Sequence, residues 1–368
     1  MLTKGDDYPI HQTAEPIAFA GTDRNFYDRY FFNAYLPDGS AFVAIAFGVY
    51  PHLNIADAHV SLVRDGVQTS LHASRILYME RMELTVGPIT IEVIEPLQRL
   101  KVMVAPEQGI SAELVFEGRH FPIQEPRFIQ RIGPRTFMDY TRLTQNCRVS
   151  GWVECDGVRS TFGEGAFGTR DRSWGVRPVG AGDAQPHAPA VMPGFFWQWT
   201  PTNFEDRSLY FHINADAEGK AFNLAAVQIA DGGKADAAIV SHNARLDSRN
   251  SGGTRWPRYG ELAITEPDGS VTEAVFTPFA RFQMKGIGYV NPTWGHGLFH
   301  GELAVEREDS VLDALDPASY DLFHVQRLSR VELRRKGEPV RHGLGTFEQL
   351  ILGPYAPMGF TGMTDLAD

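Results

Sequence analysis

Cysteine is nearly absent from this chain: among 368 residues there are two, Cys147 and Cys155. If both stand on one extended strand they lie about 27 Å apart, at roughly 3.3 Å per residue. A disulfide between them would need an intervening turn, of which the sequence shows little sign. Long apolar runs are missing too. Ala41–Tyr50 is apolar but too short to span a bilayer. The start, Met1-Leu-Thr-Lys-Gly-Asp-Asp-Tyr8, lacks the basic opening and apolar core of a signal peptide, which points to the cytoplasm. Basic charge is in deficit: 34 Lys and Arg against 45 Asp and Glu give −11 and a pI near 5.6. Nucleic acid and anionic membrane are therefore disfavoured as partners, since both select a basic face. No feature points to a particular oligomeric state. Catalytic signatures are equally scarce, with no G-x-S-x-G elbow, H-E-x-x-H, P-loop or Cys/His nucleophile arrangement.

What the chain has instead is strand pattern. Hydrophobic residues make up 43% and charged residues 21%, enough apolar material for a packed core. Alternating or β-rich runs such as Tyr30–Leu36, Ala41–Tyr50, His59–Arg64, Ile89–Ile94, Arg148–Glu154, Leu209–Asn214 and Phe222–Ile229 recur, and five Asp-Gly pairs punctuate such runs. No long segment holds a helical period; Val311–Leu315 and Pro317–Leu322 are at most short turns. Val179–Ala190, rich in Gly, Ala and Pro, reads as a junction. The expectation is an all-β protein of two antiparallel β-barrel or sandwich halves of the lipocalin kind, residues 1–178 and 190–368.

The densest cluster is Gly163 to Pro178. It contains a literal G-x-G-x-x-G at Gly163, Gly165 and Gly168, but the following Thr169-Arg170-Asp171-Arg172-Ser173-Trp174-Gly175 cannot open an apolar helix. The dinucleotide reading fails on that context. A glycine-kinked strand remains, with Arg170, Arg172 and Trp174 on one face and Asp171 and Ser173 on the other. Together with Asn146–Gly157, this element resembles the hydroxyneurosporene synthase and AttH-like group of calycin-related proteins, which carry a similar G-x-R-D-(H/R)-S-W-G. Tyr30–Tyr35, Phe195–Trp199 and Gly343–Glu348 are also similar to that group, so the likeness covers most of the chain. The resemblance implies two lipocalin-like halves and a pocket for an isoprenoid or other apolar substrate. Members include carotenoid hydratases, kievitone-hydratase-like enzymes and pericyclases. Arg172 stands where many of them have His, which removes an imidazole from that position.

For a hydratase or isomerase the useful group is a carboxylic acid in an apolar cavity, and Asp171 is the candidate; its alternative role is an ion pair with an Arg. His212 is a candidate base or donor, or a capped structural histidine. Arg170 and Arg172 would fix polar ends of a substrate, and Trp174, Trp197, Trp199 and Tyr210 would shape the cavity or simply pack. In Trp294–Glu302 the trio His296, His300 and Glu302 suggests a metal. In a glycine-bent strand, however, His296 and His300 would be about 13 Å apart, so no metal is expected there and His296 is kept as a pocket residue. These readings converge on a cofactor-independent enzyme that hydrates, isomerises or cyclises an alkene in an isoprenoid-, steroid- or polyketide-like molecule. A noncatalytic carrier of such a ligand is the alternative.

Overall fold

The computed structural model describes residues 1–11, 14–19, 23–182, 185 and 194–368. Strands dominate it, and the helical segments among the described residues are six short 3-10 turns, two of them at Leu312–Ala314 and Tyr320–Leu322. Among the described residues no helix is long and apolar enough to cross a membrane. The chain divides into two compact units. One comprises Met1–Ala190 with Lys285–Val311, the other Val191–Met284 with Leu312–Asp368. Much of the junction read at 179–190 lies outside the described residues.

The first unit is one antiparallel sheet. Its path runs from Leu303–Val311 through β4 (Val67–Ile76), β3 (Ile55–Arg64), β2 (Phe42–Tyr50) and β1 (Phe26–Tyr35) to Phe167–Val176 and Arg135–Cys155, then Ile110–Gly118, Arg99–Glu107, Ile89–Glu95 and Thr85–Val86. The Asp-Gly pairs make the tight turns their chemistry favours. Asp65 and Gly66, which join β3 to β4, both have positive φ (51° and 76°), as the primed hairpin turns require. Alternate residues (Tyr30, Phe32, Val43, Ile45, Phe47, Val60, Leu71) pack with Val86, Ile89, Ile91, Leu100 and Val102 into one core, so the far end of the sheet curls back onto β3 and β4. Burial of this apolar surface is the main stabilising term. Cys147 and Cys155 lie on one strand, both free.

The strand Leu303–Val311 stands deep in the second half of the sequence, yet it pairs along the whole of β4. Arg307 at its middle makes a two-pronged ion pair with Asp156, at 2.7 Å for each contact. Strand pattern records which residues share a face and is silent on which neighbour they pair with. A linear cut at 178/190 therefore assigns this strand to the C-terminal half.

The second unit orders its strands Ile239–Ser241, Ala221–Ala230, Arg207–Ala215, Phe195–Trp199, Arg341–Leu352, Val325–Arg335, Val271–Gln283, Pro257–Thr265 and Ala244–Asn250. Phe204, Leu209, Phe211, Leu262, Phe276, Val331 and Phe347 form its core.

Gly168 shows how closely the central strands meet. A Cβ there would fall 2.1 Å from the backbone oxygen of Asn33 on β1. Gly168→Ala should therefore cost roughly 1–3 kcal/mol, the range of overpacking strain. Denaturant unfolding checks this, and an unchanged midpoint would mean the pairing of β1 with Phe167–Val176 is not as described.

Candidate functional site

β1 to β4 are buried on both faces. One face is the apolar core; the other carries Arg29, Tyr50, Asp57, His59, Ser61, Gln68, Ser70 and His72, all nearly inaccessible. Their cover is the segment 285–302. Gly286 lies so close that a Cβ would meet Gln68, Ser61 and Ser70 at 2.1–2.7 Å. This segment is a loop built on Asn291, whose Oδ1 accepts the backbone N–H groups of Thr293 and Trp294 at 2.9 and 2.7 Å. The glycine-bent strand expected around His296 is thus corrected to a loop: Gly295, Gly297 and Gly301 make turns, two of them with positive φ. Val290, β-branched, also has φ near +54°, a strained value of the kind that gathers at functional sites.

At the centre lies the Asp57 carboxylate. Gly297 N–H donates to its Oδ2 at 2.6 Å and the Tyr50 hydroxyl to its Oδ1 at 3.1 Å. His59 Nε2 and His296 Nδ1 face that same Oδ1 at 3.7 and 3.9 Å, too far for hydrogen bonds. Burial pushes the Asp57 pKa up, but His296 and His59 outweigh it and hold the group well below the usual carboxylate range. Burial and the Arg29 guanidinium hold His296 well below the ordinary imidazole value, against the pull of Asp57. Burial, reinforced by Asp57, raises Tyr50 well above the usual phenol value.

A polar chain leads from this centre toward the surface. His59 Nδ1 and His72 Nδ1 share a hydrogen bond of 2.9 Å, His72 Nε2 stands 3.5 Å from Glu308 Oε2, and Lys285 Nζ is 3.4 Å from Glu308 Oε1. His72 stacks on Trp294, which stacks in turn on His300. His72 lowers the Glu308 pKa, against burial and with help from Lys285, to about 2. Since the folded value is depressed below the ordinary 4.5, the contribution to stability is complete above pH about 4.5 and disappears as the pH falls through about 2. Glu308→Gln should accordingly lose less stability than the parent between those pH values; parallel urea-unfolding series for both proteins check this, and equal losses would show the coupling to be absent.

On the other side of Asp57, Arg29 Nη2 donates to the Tyr289 hydroxyl at 2.9 Å, and its guanidinium lies over the Tyr289 and Tyr27 rings. Tyr289 meets His296 edge-on. Farther along the same face, Arg142 approaches Asp171 at 4.0 Å and Glu125 at 3.5 Å.

One family model matches residues 2–361, nearly the entire sequence; its description is family of unknown function, DUF8625. The chain belongs to that family. No curated protein matches the sequence. Among solved structures, CghA is similar with a TM-score of 0.54 and 13% identity, covering 94% of this chain and 95% of CghA. CghA with Sch210972 gives 0.53 at 12%, covering 90% and 89%. The AttH candidate from Nitrosomonas europaea gives 0.50 at 14%, covering 92% and 98%. Identities this low establish the fold, which is the AttH-like, lipocalin-type architecture that the Gly168–Arg177 element resembles.

In this DUF8625 member the nine residues singled out from sequence fall in three places. Arg170, Arg172 and Trp174 share the core-side face of their strand and bind the N-terminal segment. Arg170 pairs with Asp7 at 2.6 Å, Arg172 with Asp28 at 2.6 Å and with the Tyr8 carbonyl at 2.8 Å, and His11 stacks on Trp174 at 3.7 Å. Asp171 points the other way, into the polar face, where Arg142 and Arg29 surround it.

Trp197, Trp199, Tyr210 and His212 lie on one face of the second unit's sheet, with Trp199 opposite His212. His212 Nε2 is 3.3 Å from Asn223 Oδ1. The buried Glu348 carboxylate accepts from Trp197 Nε1 at 2.7 Å, His324 Nε2 at 2.8 Å and Gln326 Nε2 at 2.6 Å. Although burial raises its pKa, these partners prevail and lower it. Only His296 joins the Asp57 centre. Asp57, His59, His72 and Arg29 escaped sequence reasoning; the available signal was a run of polar residues alternating with core residues in strands this apolar.

Proposed function

We propose that this protein is an enzyme acting on a small molecule with an apolar body and a carbonyl conjugated to an alkene, and that the polar face of the first unit is where it acts. One observation carries the reading. Six buried polar atoms on that face, Tyr27 Oη, Arg29 Nη1, His59 Nε2, His72 Nε2 and both nitrogens of His296, make no hydrogen bond among the described residues. Each such atom costs about 1–3 kcal/mol, and a set of six on one face is explained by bound groups, a substrate among them, that supply the missing partners.

A carbonyl oxygen accepting from Arg29 Nη1 and Tyr27 Oη would be polarised by a guanidinium that stays charged throughout. The same polarisation favours addition of water to the alkene, migration of the double bond, or cyclisation, because each passes through a state with negative charge on that oxygen. Asp171, between Arg142 and Arg29, serves as counter-ion and orients water. The solved CghA complex with Sch210972 supports a small-molecule site in this architecture. A pure hydrocarbon fits less well, since it would leave Arg29 Nη1 without an acceptor.

The carrier reading has one observation in its favour. The second unit contains a half-open pocket of about 360 Å³ lined by Phe196, Ile213, Leu224, Leu246, Tyr355 and Met358 together with Arg245, Asp247 and Ser248. That volume lies within the range of small-ligand pockets.

The test is a panel of conjugated enones, alcohols and hydrocarbons of matched size, followed by thermal shift and by Trp294 fluorescence in a protein with its other tryptophans replaced by Phe. Enones should raise the melting temperature, quench Trp294 and be recovered chemically changed. Equal binding of hydrocarbons, or binding that leaves Trp294 unaffected, would overturn the assignment of the site. Recovery of every ligand intact would leave a carrier.

A further inference from the structure

We infer that Asp57, His59 and His296 form a binding site for a divalent transition-metal ion of the zinc or cobalt kind. The inference stands on the geometry of these three residues and does not depend on the enone reading. One ligand atom from each residue can be chosen so that all lie within 4.8 Å of one another, and all three residues are buried. The donor set, one carboxylate and two imidazoles, is the set such ions select over calcium or magnesium. The separations of 3.7 Å and 3.9 Å from Asp57 Oδ1 to the two nitrogens are too long for hydrogen bonds. Ligands 2.0–2.1 Å from a tetrahedral ion stand roughly 3.3–3.5 Å apart, so the two contacts to Asp57 need shorten by only a few tenths of an ångström, while a pair at the 4.8 Å limit of the cluster would close by roughly 1.4 Å as the covering loop settles.

Three further features fit an ion at that point. His59 Nε2 and His296 Nδ1, the atoms facing Asp57, have no hydrogen-bond partner among the described residues despite burial. Gly288 faces the same space. A Cβ there would lie 2.8 Å from His296 Cε1, 2.9 Å from His59 Nε2 and 3.0 Å from His296 Nδ1, so any other residue would push a side chain between the ligands. Behind the first ligand, His59 Nδ1 is bonded to His72 Nδ1, and His72 reaches toward Glu308. Metal-bound histidines usually have their second nitrogen held in this way, which fixes the ring and its tautomer.

Asp57 Oδ2 is tied down by the Gly297 N–H, and Oδ1, which accepts the Tyr50 hydroxyl at 3.1 Å, has a remaining lone pair for the ion. Three protein ligands leave a fourth position for water or a substrate oxygen, the arrangement of catalytic rather than structural zinc sites. The loop carrying His296 belongs to the segment 285–302, so binding would also pin that loop onto β3.

The experiment uses the full-length protein stripped with a chelator and dialysed out of it, with Zn²⁺ and Co²⁺ as probes. Calorimetry should show one Zn²⁺ per chain, and Co²⁺ should give the visible absorption of a tetrahedral site. His59→Ala, His296→Ala and Asp57→Asn should each weaken binding at least about tenfold, whereas substitution of the exposed His242 and His342 should leave it intact. Circular dichroism confirms that each variant is folded. Should a ligand variant fail to fold, the parent's Co²⁺ spectrum, together with its loss on Gly288→Ala, takes its place. Absence of stoichiometric binding in the parent, an octahedral Co²⁺ spectrum, or binding unchanged by the ligand substitutions would overturn the site. Every readout is taken without substrate, so this failure and that of the enone reading are separate results.

Discussion

Arg170→Leu is expected to destabilise the protein by about 3–5 kcal/mol, among the largest effects of any single substitution. The Asp7 and Arg170 side chains are sealed from solvent, and their contacts are dense. Asp7 also accepts the Leu97 N–H, and its carbonyl accepts the Tyr30 hydroxyl. Arg170 Nε donates to Gln145 Oε1 at 2.7 Å. Removing the guanidinium leaves a carboxylate in a site with no solvent to neutralise it, and the penalty is that of the stranded charge more than of the lost bond. Two controls separate this from simple loss of packing. Asp7→Leu with Arg170→Leu should recover much of the stability, since an apolar pair replaces an ionic one. Asp7→Asn alone should be milder than Arg170→Leu. Equilibrium urea unfolding reads all three, and a double variant no better than Arg170→Leu would show that the ion pair is not what the substitution breaks.

That expectation differs from the one attached to the same arginine by sequence. The element Gly168–Gly175 was legible as something unusual, and its division into two faces is the one the strand adopts. Its partners were not legible, because Asp7 stands 163 positions from Arg170 and no local pattern pairs them. Both arginines hold residues near the N-terminus, Arg170 through Asp7 and Arg172 through Tyr8 and Asp28, so one thing the motif does is clasp that segment. The Asp57 centre failed to appear for a related reason. His59 and His72 alternate with core residues on β3 and β4, which in an antiparallel sheet signals a solvent-facing side. Only the cover of 285–302 buries them, and that cover comes from more than 200 positions along the chain. The strand content, the Asp-Gly turns and the scarcity of helix, all local properties, could be read directly.

Arg29→Gln is expected to reduce turnover of an enone substrate by about 10²–10³-fold, the range for loss of one preorganised oxyanion donor. Gln ends at about the position of the arginine Nε, so it removes both the charge and the Nη2 bond to Tyr289 while keeping a neutral polar group on the face, and the fold should survive with a modest drop in melting temperature. If Arg29 acts on charge that develops only as the carbonyl becomes enolate-like, kcat falls and KM changes little. If it merely holds the ground-state carbonyl, KM rises and kcat is kept. Asp171→Asn offers the contrast, since a counter-ion that orients water should lose much less turnover than the group bearing on the reacting oxygen. A transferable proton on Asp171 would reverse that order, with Asp171→Asn losing ~100-fold or more at an unchanged melting temperature. Steady-state kinetics on the two variants and the parent, with product identified by mass, therefore rank the electrophilic and acid-catalysed mechanisms directly. Parent-like kinetics in Arg29→Gln would remove the guanidinium from the chemistry altogether.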